Sequence, residues 1–250
     1  MNHLSCAAIT LDIDWTPDFV IDAVAERLLA LGTRATWFVT HASAAVDRLR
    51  RHPGLFELGI HPNFLPNSTH GSTVDDVLET CRALVPGATS MRTHGLVQST
   101  PLLERVMAIT AVTTDVSIFL PHATSTEPVE YWWQDRMLLR VPFLWEDDFE
   151  FERPSPTWEL GPLLDAPGAR VFNFHPIHVY LNSPDLRRYR TLKERCAELG
   201  RAEPDQVADL IHRGRGTGTA FADLARRLAD GRGTLASEFR SRPARREAEA

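Results

Sequence analysis

The spacing of hydrophobic residues along this chain alternates between a pattern typical of β-strands and one typical of α-helices. Each change of pattern marks the boundary of a predicted element. Short apolar runs rich in β-branched and aromatic residues predict strands, whereas apolar residues spaced three and four apart predict helices. The predicted strands are 7–13, 35–40, 55–60, 89–91, 111–114, 137–142, 170–174 and 234–239, and the predicted helices are 16–31, 74–84, 100–107 and 219–228. Because strands and helices alternate, the pattern predicts an α/β fold with a mostly parallel sheet of seven or eight strands.

The composition changes nowhere sharply enough to divide the chain into two domains. We therefore expect a single domain over residues 1–240 and a flexible C-terminal tail at 241–250. Residues 144–168 are rich in proline and acidic side chains, and they are predicted to form a long loop or insertion.

Polar side chains suited to chemistry follow the predicted strands at the points where the strands end. These residues are Asp12, Asp14, Thr40, His41, His61, Arg92, His94, Asp115 and His175. In a parallel α/β protein the C-terminal ends of the strands meet on one face, where active sites lie. The order of elements therefore predicts that these side chains converge on a single site.

The first candidate for catalysis is the run Asp12-Ile13-Asp14. Strand alternation would place both carboxylates on one side of the chain. Two close carboxylates repel each other unless a cation or a shared proton relieves them, which suits a metal ligand beside a general base. An acidic strand end that caps the next helix explains the same pattern equally well.

The histidines offer candidate metal ligands. There are ten, of which His3, His52 and His212 are interpreted as surface residues. One carboxylate and two imidazoles would form a site for Zn²⁺ or another divalent ion, with positions open to water and substrate.

Charge and composition exclude several classes of protein. The chain has 250 residues, a net charge of -6 and 43% hydrophobic residues, so it is neither disordered nor equipped with the dense cationic face of a nucleic-acid-binding protein. No apolar stretch approaches the roughly 20 residues that span a membrane. Three scattered cysteines and the lack of a cationic leader favour a reduced, cytoplasmic protein. The oligomeric state is not set by these features.

Five motifs, in order between residues 7 and 180, resemble those of the polysaccharide deacetylases with a NodB homology domain, carbohydrate esterase family four. The motifs are Thr10-Leu11-Asp12-Ile13-Asp14, Ala35-Thr36-Trp37-Phe38-Val39, Glu57-Leu58-Gly59-Ile60-His61, Met91-Arg92-Thr93-His94-Gly95 and Phe174-His175-Pro176. Segments 59–64, 141–148 and 174–182 are most similar to the WbmS-like branch of that family. The resemblance implies a distorted (β/α) barrel of about seven parallel strands that removes acetyl groups from N-acetyl sugars with a divalent metal.

The resemblance also implies roles for individual residues. Asp12 is expected to be the general base, Arg92 to orient it, and His175 to be the general acid. Asp14 and His61 are expected to bind one divalent ion, Zn²⁺ first, with Co²⁺, Ni²⁺ or Mn²⁺ as alternatives.

The resemblance does not identify the third protein ligand of the metal. The family usually has its second metal histidine four residues after the first, where this chain has Leu65. His70 is favoured as the substitute, with His94 as the alternative.

Several further residues are candidates for contact with a sugar or other small-molecule substrate. They are Asn63, His94, Trp145, Glu146, Asp148 and His178. The run that contains Trp145 is interpreted either as the wall of a pocket or as a solvated acidic loop, and His178 is favoured as a structural residue. Asp115 is expected either to hydrogen-bond His175 or to cap a turn.

The main functional hypothesis is a hydrolase that removes an N-acyl group from an amino sugar, a nucleotide sugar or a related small biosynthetic intermediate. A first alternative is a hydrolase of another non-peptide C–N bond, such as a formamide, ureide or cyclic imide. A second is a metal-free sugar-binding protein on the same barrel, which Leu65 supports and the intact Asp12, Asp14, His61, Arg92 and His175 oppose.

Overall fold

A single nine-stranded sheet organises the residues that the computed structural model describes, which are 6–196 and 198–241. The strands are β1 (Ala7–Asp12), β2 (Ala35–Val39), β3 (Phe56–Ile60), β4 (Ser90–Met91), β5 (Thr114–Phe119), β6 (Val129–Trp133), β7 (Arg136–Phe143), β8 (Trp145–Glu146) and β9 (Arg170–Phe174). Their order is β6-β7-β5-β4-β3-β2-β1-β9-β8, and only β6 and β7 pair in antiparallel fashion. The predicted single-domain α/β fold with a mostly parallel sheet is confirmed.

One interrupted strand brings the two ends of the parallel sheet together. The strand β7 pairs with β5, and after the single residue Leu144 the chain continues as β8, which pairs with β9. The Leu144 N–H also donates to the carbonyl of Val171 at 3.0 Å. Counting β7 and β8 as one broken strand, the described residues form seven parallel strands in the order of a distorted barrel, which the strand ladders leave open between β7 and β9, with β6 added outside β7.

Helices cover the outside of the sheet. They are α1 (Asp18–Leu31), α2 (Ala44–Leu49), α3 (Val74–Leu84), α4 (Thr100–Ile109), α5 (Asp147–Phe151), α6 (Gly161–Leu164), α7 (Pro176–Leu181), α8 (Arg187–Arg195), α9 (Pro204–Val207) and α10 (Thr217–Arg227). Short 3-10 helices occupy His94–Leu96, Leu199–Arg201, Ala208–Leu210 and Ala236–Ser241. Among the described helices, none is both long enough and apolar enough to cross a bilayer.

Strand alternation separates an outer core from the barrel interior. In β1, Ile9 and Leu11 pack in the large core that also contains residues of α1 and α10. The alternate residue Ala8 belongs to a smaller cluster with Phe38 and Phe143. Because side chains alternate along a strand, the polar Thr10 and Asp12 share the inner face with Ala8 and lead up to the strand ends.

The predicted last strand at 234–239 is wrong, because this segment forms the 3-10 helix Ala236–Ser241. Ala236 and Phe239 are three residues apart and both pack in the inner cluster. The Ala236 N–H donates to Thr36 Oγ1 at 2.9 Å, and the Ser237 N–H donates to Glu57 Oε2 at 3.1 Å. Both acceptors lie near the start of their strands, so the helix covers the N-terminal end of the barrel. From residue 242 onward, the expected tail lies outside the described residues.

Two other expectations about elements need correction. The strand predicted at 111–114 begins only at Thr114, so Asp115 lies at the start of β5 and not at its exit. The segment 144–168 is not simply a loop, because it contains β8, α5 and α6. Its first residues are held by pairing with β9, a long-range contact that local composition does not reveal.

Candidate active site

Four of the expected site residues lie at neighbouring strand ends. Asp12 is the last residue of β1, His61 follows β3, Arg92 follows β4, and His175 follows β9. All four side chains are buried. The site therefore occupies the C-terminal face of the barrel, as the positions of polar residues along the chain predict.

Asp14 reaches this face through a turn rather than through strand alternation. The strand ends at Asp12, and Asp14 and Trp15 have left-handed φ values of 36° and 54°. Consecutive non-glycine residues in this region are strained, and such strain is concentrated at functional sites. The Trp15 N–H donates to Thr40 Oγ1 at 3.1 Å, which helps to hold the turn.

Asp14, His61 and His94 form a triangle of potential metal ligands. Asp14 Oδ1 lies 3.2 Å from His61 Nε2 and 3.3 Å from His94 Nδ1, and the two ring nitrogens are 3.4 Å apart. Ligands about 2.0–2.1 Å from a tetrahedral Zn²⁺ stand roughly 3.3–3.4 Å from one another. Asp14 Oδ1 is also buried without a well-aligned hydrogen bond. These three atoms therefore fit a single divalent cation.

The backbone selects the form of His61 that can bind a metal. His61 Nδ1 lies 2.7 Å from the carbonyl oxygen of Arg92. Because a carbonyl only accepts, Nδ1 carries the hydrogen and the Nε2 lone pair faces the triangle. In the metal-free chain, burial lowers the pKa of His61, but the carboxylates of Asp12 and Asp14 outweigh it and raise the pKa above its usual value.

His70, the ligand favoured from the sequence, is placed elsewhere. Its Nε2 lies 2.7 Å from the carbonyl oxygen of Thr40, and its Nδ1 accepts the N–H of Asn63 at 3.2 Å. Both ring nitrogens are thus used by the backbone, and burial lowers the pKa of the ring, which favours its neutral form. The structure brings His94 to the triangle instead. Asn63 is also occupied, since its Oδ1 accepts the N–H of Leu65 at 3.0 Å.

Both carboxylate oxygens of Asp12 are held in place by donors. Arg92 Nη1 lies 3.1 Å from Asp12 Oδ1, and Asn173 Nδ2 donates to Asp12 Oδ2 at 2.9 Å. The Arg92 guanidinium lies 4.9 Å from the ring centre of Phe38 and 4.4 Å from that of Phe143. This buried, fully enclosed Arg92 can orient Asp12 and balance its charge.

His175 is oriented by Asp147. Asp147 Oδ1 lies 2.7 Å from His175 Nδ1, and Asp147 Oδ2 accepts the His175 N–H at 2.9 Å. Burial lowers the pKa of His175, but the nearby carboxylates of Asp148 and Asp147 raise it well above its usual value. The raised pKa favours the protonated form of His175, whose Nε2 faces the site 3.6 Å from Asp14 Oδ2.

Asp115 does not contact His175, contrary to one of the two expectations for it. Its carboxylate accepts from Ser117 N at 3.1 Å and from Arg140 Nε at 2.9 Å. Its carboxylate is therefore engaged by neighbours on β5 and β7 and not by His175, which follows β9.

The residues of the run 145–148 differ in position, since one lies in the core and others face the site. Trp145 is fully buried, and its ring centre lies 4.8 Å from that of Phe174. It therefore does not line a pocket, contrary to one of the two expectations for this run. Glu146 faces the site, where Asn173 Nδ2 donates to its Oε1 at 3.0 Å, and burial raises its pKa to about 7. Asp148 Oδ1 lies 3.2 Å from the buried His178 Nε2.

Sequence reasoning missed three residues of the site, namely Thr10, Asn173 and Asp147. Thr10 and Asn173 lie two residues before Asp12 and His175, so strand alternation was a signal that both face the barrel interior. Asn173 Oδ1 accepts from Arg92 Nη1 and from Thr10 Oγ1, and its amide donates to Asp12. No comparable local signal distinguishes Asp147 from Asp148.

Comparison with known families identifies the class of protein as the polysaccharide deacetylases, in agreement with the fold and with the polar residues at the strand ends. The model of the WbmS-like polysaccharide deacetylases matches residues 9–193, and the chain belongs to that family. The resemblance based on the motifs is thereby confirmed. No curated protein matches the chain.

Among solved structures, the chain is similar to WbmS of Bordetella bronchiseptica, a proposed polysaccharide deacetylase involved in O-antigen biosynthesis. The two are 34% identical with a TM-score of 0.74, over 89% of this chain and 90% of that one. The 4-alpha-glucanotransferase of Thermococcus litoralis shares the fold at 12% identity and a TM-score of 0.50, over 94% of this chain and 38% of that one. The family 4 acetyl xylan esterase of Clostridium thermocellum, solved with a cobalt ion, gives 14% identity and a TM-score of 0.44, over 94% and 90%.

Proposed function

We propose that this polysaccharide deacetylase homologue is a metal-dependent hydrolase that removes the N-acetyl group from an amino sugar, a nucleotide sugar or a related small biosynthetic intermediate. The observation that carries the proposal is the ligand triangle of Asp14, His61 and His94, with sides of 3.2–3.4 Å, beside Asp12 and His175. A cation site flanked by a positioned carboxylate and a protonated histidine suits hydrolysis of an amide.

The triangle would hold one divalent ion, with Zn²⁺ as the first choice because of its nitrogen and oxygen ligands. Such an ion, when bound, polarises the acyl oxygen and lowers the pKa of water. Carboxylate and imidazole ligands also suit Co²⁺, Ni²⁺ and Mn²⁺, so elemental analysis is needed to identify the ion.

Asp12 acts as the general base in this proposal. Its two oxygens are fixed by Arg92 and Asn173, and Oδ2 lies 3.9 Å from the ligating nitrogen of His61. This places the carboxylate next to the triangle, where it can accept a proton from the attacking water.

His175 acts as the general acid. Its Nδ1 is held by Asp147, and its Nε2 faces the site with a proton that nearby carboxylates retain. It donates this proton to the nitrogen of the amine as the C–N bond breaks.

The test is metal content together with acetate release. Purified protein, stripped with a chelator and reconstituted with Zn²⁺, Co²⁺, Ni²⁺ or Mn²⁺, should retain about one ion per chain and release acetate from N-acetyl sugars. Asp14→Asn is the matched control, because asparagine tolerates the left-handed backbone at this position but lacks the charge. Equal ion retention by both proteins would contradict the proposal.

The alternatives are separated by the same measurements. Release of formate or ammonia from formamides or ureides, without acetate release, would favour another C–N bond. A chain that binds sugars but retains no ion would favour the metal-free binding protein. That alternative depended on Leu65, and the closeness of His94 Nδ1 to Asp14 and His61 is an argument against it.

Changing Asp147 to asparagine should shift the pH dependence of kcat/KM. His175 must be protonated to act, so activity is present below its folded pKa and is lost as the pH rises through it. Asp147→Asn removes a carboxylate that raises this pKa, so the alkaline limb should move down by about 1–2 pH units. Asp135→Asn, an exposed change in the turn between β6 and β7, serves as the control. An alkaline limb at the same pH in all three proteins would contradict this role.

A further inference from the structure

A cavity of ≈ 420 Å³ adjoins the site on the side of the general acid. It is lined by Asp148, Glu152, Leu186, Tyr189, Arg190 and Lys193. Asp148 joins cavity and site, because its Oδ1 lies 3.2 Å from His178 Nε2 and 3.9 Å from His175 Nδ1. Small-molecule sites have volumes of about 300–1,000 Å³. A substrate whose amide reaches His175 can therefore extend into this cavity.

The helix α8 makes one wall of the cavity strongly basic in a chain whose net charge is -6. Its basic residues are Arg187, Arg188, Arg190, Lys193 and Arg195, and Lys193 is the only lysine in the sequence. Two of the arginines are neutralised on the protein surface. Arg187 lies 2.7 Å from Asp185, and Arg195 lies 2.7 Å from Asp209.

Arg190 and Lys193 are also exposed, but they line the cavity and have no carboxylate at ion-pairing distance among the described residues. They are three positions apart, so they share one face of the helix. Lys193 Nζ lies 5.4 Å from the centre of the Tyr189 ring, which also lines the cavity and contacts His178 at 4.8 Å between ring centres. Two unpaired cations and an aromatic ring thus face the space next to the site.

The charges of the cavity are segregated. The α8 side carries the two free cations, whereas the α5 side carries the carboxylates of Asp148 and Glu152. A ligand with an anion at one end and hydroxyl donors at the other matches this arrangement. Arginine suits a carboxylate or phosphate through its planar fork, and lysine adds a point charge.

We propose that Arg190 and Lys193 bind an anionic group, a carboxylate or a phosphate, carried by the N-acyl sugar that is deacetylated at the site. This inference rests on the proposed function and specifies its substrate class as an acidic N-acyl sugar rather than a neutral one. The hydroxyl groups of such a sugar face Asp148 and Glu152, and its ring lies toward Tyr189.

The direct test is calorimetric binding to metal-loaded Asp12→Asn protein, which should hold a substrate without turning it over. The probes are N-acetylglucosamine, its 6-carboxylate analogue and N-acetylglucosamine 1-phosphate. Both anions, or the one whose geometry fits, should bind at least about tenfold more tightly than the neutral sugar at low salt, and added salt should reduce the difference. The relative affinity of the two anions distinguishes a uronate from a sugar phosphate.

Variants of α8 localise the effect. Arg190→Gln and Lys193→Gln should each weaken binding of the preferred anion about tenfold. Arg187→Gln is the matched control, because it removes the same charge from the same helix at a side chain that is 82% exposed and paired with Asp185. Equal affinities for neutral and anionic sugars, no binding of either anion, or an equal effect of Arg187→Gln would each overturn the proposal.

Failure of this inference is distinguishable from failure of the proposed function. Acetate release from neutral and anionic sugars with equal kcat/KM would retain the deacetylase and exclude the anion site. Binding of an anion through Arg190 and Lys193, with no acetate release from any probe by the metal-loaded native sequence, would retain the anion site and exclude N-acetyl hydrolysis.

Discussion

Replacing Asp12 by asparagine should lower kcat by roughly 10²- to 10⁴-fold, the range that a positioned general base contributes, while the protein still retains its metal ion. The physical reason is that the base is removed and the triangle of Asp14, His61 and His94 is not touched. The measurements are acetate release and elemental analysis on the same preparation. Loss of the ion together with activity would assign Asp12 to the metal site instead.

The asparagine variant needs a stability control. Asp12 accepts hydrogen bonds at both oxygens, from Arg92 and from Asn173. An asparagine must turn its NH₂ group toward one of these donors, which costs about 1–3 kcal/mol for a buried polar group left unpaired. A melting temperature lowered by roughly 2–4 °C per kcal/mol is therefore expected. Activity should be compared at a temperature where both proteins are folded.

Replacing His94 by alanine should remove the metal ion, whereas replacing His70 should not. His94 supplies one corner of the triangle, so its loss should weaken binding by more than the roughly 10- to 100-fold typical of residues that only support a ligand. His70 uses both ring nitrogens for backbone contacts, at Thr40 and Asn63. Its removal should instead lower the free energy of unfolding by about 1–3 kcal/mol per buried group left unpaired.

Titration of the stripped proteins with Co²⁺ and thermal melts of the same samples separate the two effects. His94→Ala should melt near the native temperature without metal and bind little Co²⁺, because the His94 side chain is partly exposed. His70→Ala should melt earlier and bind Co²⁺ as the native chain does. The reverse pattern would place His70 at the metal and would restore the ligand favoured from the sequence.

The strand ends could be predicted because their chemistry is local in sequence. His61, Arg92 and His175 each follow a recognisable apolar run, and parallel strands bring such positions to one face. The same reasoning extends to Asn173, which lies two residues before His175 in the same strand. Alternation and element order therefore determine most of the wall around Asp12.

The choice between His70 and His94 could not be predicted, because it depends on the paths of two loops. His70 lies nine residues after His61, and its position is set by contacts with the backbone of Thr40 and Asn63. Asp14 posed a similar problem, since its left-handed turn depends on contacts beyond the strand. The spacing of residues along the chain does not predict such contacts between loops.

The partner of His175 was missed for a related reason. Asp147 reaches His175 because the chain breaks at Leu144 and the next two residues pair with β9. Asp115 was the candidate in sequence, but its carboxylate is bound by Ser117 and Arg140 instead. Pairing between distant segments, and not order along the chain, decides which carboxylate meets His175.

The C-terminal 3-10 helix Ala236–Ser241 also determines how the protein can be handled. It lies against Thr36 and Glu57 at the N-terminal end of the barrel, so the described chain ends on the face opposite to Asp12 and His175. Attachment to a sensor chip through residue 241 should therefore leave the face that carries Asp12 and His175 open to solution. Deletion from Ala236 onward would instead uncover the inner apolar cluster around Phe38, and such a truncated chain should aggregate.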